Sequence, residues 1–316
     1  MIHRIPVGDL ALPLAMVILG IGFGLAEPAF LSFDNLKNIL NQMALTGIMA
    51  VFMTFVIMTG GIDLSIGPTM ALSGVAAYFG FHFLGFPVPL AMLFALSAGV
   101  LVGCVNGSLV AFLKLPPIIV TLAMLSIIRG LALLSAGPDH HQIRDEPMYT
   151  FLGSGSIAGL PFSVWVFFSV AIVMILVQRK TSFGVMASGI GDNERAVNLS
   201  GRSVQKSLLL VYALSGLGAA LAGMILSSQV HTASATFGEF GTELDVIAAV
   251  VLGGTNIMGG KGSVIRTVFG VLLLGIINNG LQVLNVPLDQ QLMVKGVIIV
   301  LALGISTWSQ KRFALT

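Results

Sequence analysis

Ten apolar runs, each near the roughly 20 residues that carry a helix across about 30 Å of hydrocarbon, follow one another along the 316 residues with little between them. They occupy 10–28, 42–60, 67–84, 88–113 and 116–136 in the first half, and 161–178, 207–229, 244–258, 264–284 and 290–307 in the second. Backbone in lipid must bond to itself, so spanning chains are helices or closed barrels, and runs this long and continuous select the helix. With 56% hydrophobic residues, 9% charged residues and a mean hydropathy of +1.00, the chain could not present itself to water. The expected fold is an all-α integral membrane protein of about ten transmembrane helices in a single domain over residues 1–316. The eighth run rests on LDVIAAVVLGG and reads as a broken or tilted element.

The charges test this layout independently. With the N-terminus in the cytoplasm, eleven basic residues fall in inner loops: Arg4, Lys114, Arg179, Lys180, Arg195, Arg202, Lys206, Lys261, Arg266, Lys311 and Arg312. Only Lys37 and Arg144 fall outside, where the acids Asp139, Asp145, Glu146, Glu239 and Glu243 gather, and Arg129 and Lys295 lie within runs. Positive-inside asymmetry then places both termini in the cytoplasm and the chain in the bacterial inner membrane. Adding or losing one span would invert every later loop. A signal-peptide reading of the first run, with Gly24-Leu25-Ala26 as its cleavage site, leaves nine spans and conflicts with that asymmetry. The stretch SFDNLKNIL, residues 32–40, reads as a short amphipathic helix at the outer interface. A net charge of +2 gives no reason to expect nucleic acid, and the one cysteine, Cys104, excludes an internal disulfide.

Between the second and third runs stands GGIDLSIGP, a glycine-flanked break bearing a carboxylate. Irregular backbone between spans belongs at a membrane surface or against a protein or water cavity. Asp63 and Ser65 would cap the third span, with Pro68 in its first turn; alternatively Gly60, Gly61 and Asp63 face a conduit or a partner. The charge pattern puts this segment near the cytoplasmic side. Ile62-Asp63 is echoed by Leu244-Asp245, and VNGSL at 105 by NNGLQ at 278, each five spans on, which suggests a 5+5 inverted repeat.

Polar side chains inside spans usually face the bundle interior. Asn106, Asn278, Asn279 and Gln282, with Thr121 nearby, form the best-placed set: amides carry donors and acceptors and suit a neutral polyhydroxylated solute, or they simply bond helix to helix. Arg129 could border the same route or pair with Glu243 or Asp245, and Lys295 could snorkel outward. The longest inner loop, residues 179–206, holds five of the fifteen basic residues. In it Asp192 or Asn193 can cap a short helix through Glu194, Arg195 and Ala196 to Leu199, ended by Gly201 as C′ residue, with Ala196, Val197 and Leu199 on one face. That is a docking element or an ordinary positive-inside loop. SGLGAALAG, residues 215–223, permits close helix packing. GGTNIMGGKGS, residues 253–263, is no phosphate loop, since glycine rather than serine or threonine follows Lys261. No His/Cys spacing supports a metal site.

The stretches at 51–74, 105–125, 191–223 and 241–263, long and in order, resemble the permease subunits of bacterial ABC importers of the ribose type. The resemblance covers nearly the whole chain and has branched-chain amino-acid permeases as more distant kin. It implies a permease homodimer, ATPase partners that use ATP and Mg while this chain binds no cofactor, and an extracytoplasmic sugar-binding protein. It also implies that residues 192–201 form a coupling helix that inserts into the ATPase. The chain itself would be a transport subunit and not an enzyme, moving solute by alternating access. An ion-coupled secondary transporter is the alternative, but it needs buried acids that the spans scarcely offer. A membrane-embedded enzyme would need a nucleophile and base, or metal ligands, that are not apparent.

Overall fold

The computed structural model describes residues 7–143, 146–238 and 241–313. Each apolar run coils into a helix, and twelve helices follow in chain order: α1 (Val7–Ala26), α2 (Phe33–Met58), α3 (Ile66–His82), α4 (Val88–Ala111), α5 (Pro117–Ala136), α6 (Pro147–Ser154), α7 (Phe162–Lys180), α8 (Ser182–Leu199), α9 (Val204–Gln229), α10 (Thr242–Leu252), α11 (Val264–Val283) and α12 (Leu288–Phe313). Six of them (α2, α4, α5, α7, α9 and α11) are long and apolar enough to cross a bilayer. The protein is an all-α membrane protein. α10 has only 11 residues, about 16 Å at 1.5 Å per residue, which is the broken element foreseen for the eighth run.

The connections 112–116, 179–203 and 253–263 meet at one end of the bundle, the basic face. Gln178 accepts from the Val264 N–H (3.0 Å) and donates to the Gly262 carbonyl (3.1 Å), while Ser188 donates to the Gly260 carbonyl (2.6 Å). The opposite end is capped by small elements that the sequence reading did not foresee. Strand β1 (His141–Gln142) pairs antiparallel with β4 (Thr232–Ala233), a tight hairpin joins β2 (Ser156–Ile157) to β3 (Leu160–Pro161), and the fully buried Tyr149 of α6 bonds Ser227 of α9 through its hydroxyl. Arg144, Asp145 and Glu239 lie outside the described residues.

SFDNLKNIL is not a separate interfacial helix. Ser32 accepts from the Asn35 N–H and caps α2, which then runs unbroken to Met58, so this amphipathic stretch is the first two turns of a long span. Asn35 points inward, donating to the Phe30 carbonyl and to Asn279 Oδ1, both at 2.8 Å.

The core is organised around α9, which packs on α2, α3 and α4. Its approach to α4 is backbone to backbone because glycines recur every fourth residue at Gly99, Gly103 and Gly107 and oppose Gly216 and Ala220. A methyl group on Gly103 would lie 2.2 Å from the Tyr212 carbonyl oxygen, and one on Gly216 would lie 2.1 Å from that of Gly99. Small residues of this kind let membrane helices come close and gain dispersion attraction where no hydrophobic effect drives association. Helix neighbours recur with a five-span shift. The pairs α3·α4 and α10·α11, α3·α9 and α10·α2, α4·α9 and α11·α2, and α3·α5 and α10·α12 all pack together.

Candidate functional site: an interrupted helix and a polar cavity

Residues 59–65 leave α2 and enter α3 without helical structure. Gly60 sits against Gly259 at the basic face, whereas Gly67 sits against Gly238 and Glu243 at the far end of α10. Only the Gly60 end of the break is therefore at the basic face, where the charge pattern put all of it; the rest threads the bundle alongside α10. Backbone that leaves a helix inside a membrane protein must find partners among its neighbours, and here three helices supply them. Thr121 of α5 donates to the Ile62 carbonyl (2.9 Å), and Ser215 of α9 donates to Asp63 Oδ2 (2.8 Å). Asn106 of α4 donates to Ser65 Oγ (2.8 Å), which donates to Asp63 Oδ1 (2.7 Å).

The capping expectation is corrected in one respect. Ser65 occupies the N-cap position of α3 but makes no side-chain cap bond; its hydroxyl is spent on Asp63, which also accepts the Ser65 N–H at 3.0 Å. Pro68 does lie in the first turn of α3. Asp63, Ser65 and Asn106 are all at most 1% exposed, so they form a dry strut. The Tyr212 hydroxyl, buried beside Gly61, has no hydrogen-bond partner among the described residues and was missed in the sequence, where an apolar neighbourhood hid it. Asp63→Ala would orphan two hydroxyls and an N–H at a cost of about 1–3 kcal/mol for each buried polar group left unmade. The thermal midpoint of the purified variant in detergent is expected to fall by several degrees, and an unchanged midpoint would show that the carboxylate holds nothing.

The polar residues read from the sequence do not converge on one point. Asn106 and Thr121 belong to the strut. Asn279 bonds Asn35, tying α11 to the start of α2. Asn278 and Gln282 instead face a cavity of about 430 Å³ between α2, α9, α10, α11 and α12, whose wall also includes Gln42, Thr46, Gln229, Gln291, Asp245 and Lys295. Gln42 donates to Gln282 Oε1 at 3.2 Å, and Asn278 Oδ1 accepts no bond from the described residues. Lys295 does not snorkel. It pairs with Asp245 at 2.8 Å, both side chains about four-fifths buried, so Asp245 is not Arg129's partner. Arg129 lies within electrostatic reach of Glu243 and donates to the Ala235 and Phe237 carbonyls, fixing the strand that leads into α10.

At the basic face, α8 is interrupted at Asn193 (φ −161°, ψ 94°). Asn193, rather than Asp192, caps the last segment by accepting the Ala196 N–H at 3.0 Å, and Gly201 follows with φ +77°, the left-handed C′ conformation. Asp192 lies against Gly260. Glu194 pairs with Lys114 from the α4–α5 connection. Val197 turns inward onto the core, which corrects the outward face expected of it; Ala196 and Arg195 remain exposed, and Leu199 is 89% exposed. A cleft of about 210 Å³ links Lys114 and Glu194 to Gly61 and Tyr212, so the capped segment and the interrupted helix share one space.

This architecture defines a transport subunit. It is similar to a solved ABC transporter, described as of metal-chelate type and inward-facing, with a TM-score of 0.54 at 17% identity, covering 96% of this chain and 100% of that one. The family described as branched-chain amino acid transport system / permease component matches residues 35–303, and the chain belongs to that family of ABC permeases. Among its relatives, the ribose import permease protein RbsC of Bacillus subtilis is 40% identical over 92% of this chain and 89% of its own length. The RbsC of Escherichia coli is 39% identical over 90% and 89%, and the fructose import permease protein FrcC of Rhizobium meliloti is 35% identical over 98% and 88%. Family membership sets aside the ion-coupled alternative.

Proposed function

We propose that this chain imports a monosaccharide or related polyol as the permease of a binding-protein-dependent ABC system. The relatives' ribose and fructose names support the solute class, and the carboxamide-lined cavity carries the reading within this chain. Neutral amides can donate to and accept from hydroxyls without the desolvation cost of charge, and the Asp245–Lys295 pair leaves the cavity wall nearly neutral. In this reading Asn278 and Gln282 border the route, while Asn106, Thr121 and Arg129 hold the helices that shape it. Asn278→Leu is expected to reduce uptake about tenfold or more with assembly and stability little changed, since a lone interhelical bond in a membrane protein averages only about 0.6 kcal/mol. Undiminished uptake by this variant would move the route elsewhere.

The partners follow the same reading: a second permease copy, an ATPase chain that hydrolyses ATP with Mg, and an extracytoplasmic solute-binding protein. Residues 192–201 dock the ATPase, and the shared cleft relays their movement to the break at Gly60, Gly61 and Asp63. The recurrence of helix neighbours supports an inverted repeat of two five-span halves. Ten spans with both termini cytoplasmic give the orientation. A cysteine at Asp192 should then react with impermeant maleimide only from the cytoplasm and one at His140 only from outside; the reverse pattern at either site would sink the layout. Co-purification of a separate ATPase with the tagged chain tests the assembly.

A further inference from the structure

At the basic face the end of α7, the start of α11 and α1 enclose a second cavity, of about 420 Å³. Three cationic residues line it, Arg179 from α7, Lys261 from the preceding loop and Arg266 from the first turn of α11, and no acid does so among the described residues. The first turn of α11 also lacks any acidic residue, although the positive end of a helix favours one, and it carries Arg266 instead. Three basic side chains and a helix N-terminus thus add positive potential in one concave place. The other side of the cavity is apolar, formed by Leu12, Ile265 and Phe269. It opens beside α1, whose exposed Leu14, Val17, Ile18 and Ile21 form a lipid-facing stripe at helical spacing.

We propose that this cavity binds the phosphate headgroup of an anionic phospholipid, with the acyl chains running along α1. Guanidinium forks and a helix N-terminus suit phosphate oxygens, and basic pockets between spans are suited to anionic headgroups. The apolar wall distinguishes a lipid phosphate from a free one. Placement in the inner leaflet rests on the orientation proposed above; the binding itself does not.

The test is lipid retention by the full chain, measured by native mass spectrometry after exposure to equal phosphatidylglycerol and phosphatidylcholine. The unaltered protein should prefer phosphatidylglycerol by about tenfold, and Arg179→Gln/Arg266→Gln should abolish the preference. Arg202→Gln/Lys206→Gln, which removes the same charge elsewhere on the basic face, should keep it. Lys261→Gln, an exposed loop substitution, provides a reduced preference as a second readout should the double variant fold poorly. Retained preference in Arg179→Gln/Arg266→Gln, or unchanged preference in Lys261→Gln, would overturn the site. So would equal loss in the Arg202/Lys206 variant, which would mean diffuse charge. Millimolar inorganic phosphate that displaced the lipid and stabilised the protein equally well would overturn the lipid assignment in favour of a soluble anion.

Discussion

Gly103→Leu is expected to remove folded protein from the membrane. At this position α4 and α9 touch backbone to backbone, and the first added carbon would sit 2.2 Å from the Tyr212 carbonyl oxygen, far inside van der Waals distance. No rotamer relieves a clash at Cβ, so the helices must separate. Overpacking a core ordinarily costs about 1–3 kcal/mol when flexible side chains absorb it; a displaced backbone also forfeits dispersion attraction along the whole seam. The separation would draw Ser215 away from Asp63 and Asn106 away from Ser65, because those side chains ride on the same two helices. The measurement is the yield of monodisperse protein in mild detergent, expected to fall about tenfold or more for a destabilisation above 1.4 kcal/mol. Gly130→Leu, where a side chain would meet nothing within 4 Å, is the matched control and should behave as the unaltered protein. Equal yields from both variants would show that the α4–α9 seam is not as close as described.

Glu194→Lys/Ala196→Trp is expected to leave a stable, membrane-inserted permease that no longer converts ATP hydrolysis into uptake. Both side chains are exposed on the capped segment at the basic face, so neither substitution disturbs the core. Within the chain the change breaks the Lys114–Glu194 pair, which is half-exposed and worth about 0–1 kcal/mol. That is too little to account for a tenfold fall in uptake. A fall of that size with unchanged stability must arise in the contact with another chain. The companion variant Lys114→Glu/Glu194→Lys restores the internal pair in reverse and should remain uncoupled if docking is what matters. Normal uptake and normal solute-stimulated hydrolysis in the first variant would reduce the segment to a connector.

The sequence reading of helices succeeded where lipid leaves the backbone no choice: every long apolar run became a helix, and the short LDVIAAVVLGG run became the short α10. The cap at Asn193 and the left-handed Gly201 were legible because a capping side chain and a C′ glycine act over three or four residues. The strut was not legible in this way. Asn106, Thr121 and Ser215 sit on three different helices, and their meeting at residues 62–65 depends on how those helices cross. For the same reason Asn278 and Asn279, adjacent in sequence, point about 100° apart and serve different neighbours. The outer cap of α6 and the short strands was missed because its segments are too short to show a period, and the cationic cavity because its residues are scattered among loops that looked merely positive-inside.

The carboxylate of Asp63 meets Ser215 across 152 positions of sequence, and this separation sets an order of events during synthesis. When α2 and α3 leave the ribosome, the partner that satisfies the break between them is still unmade, and so is the face of α9 that closes over the glycines of α4. The first five spans must therefore wait in the bilayer with an incomplete interior until α9 is threaded among them. Chaperoning of that half-built state, more than the strength of any bond in the finished bundle, would govern how much of this protein a cell can make.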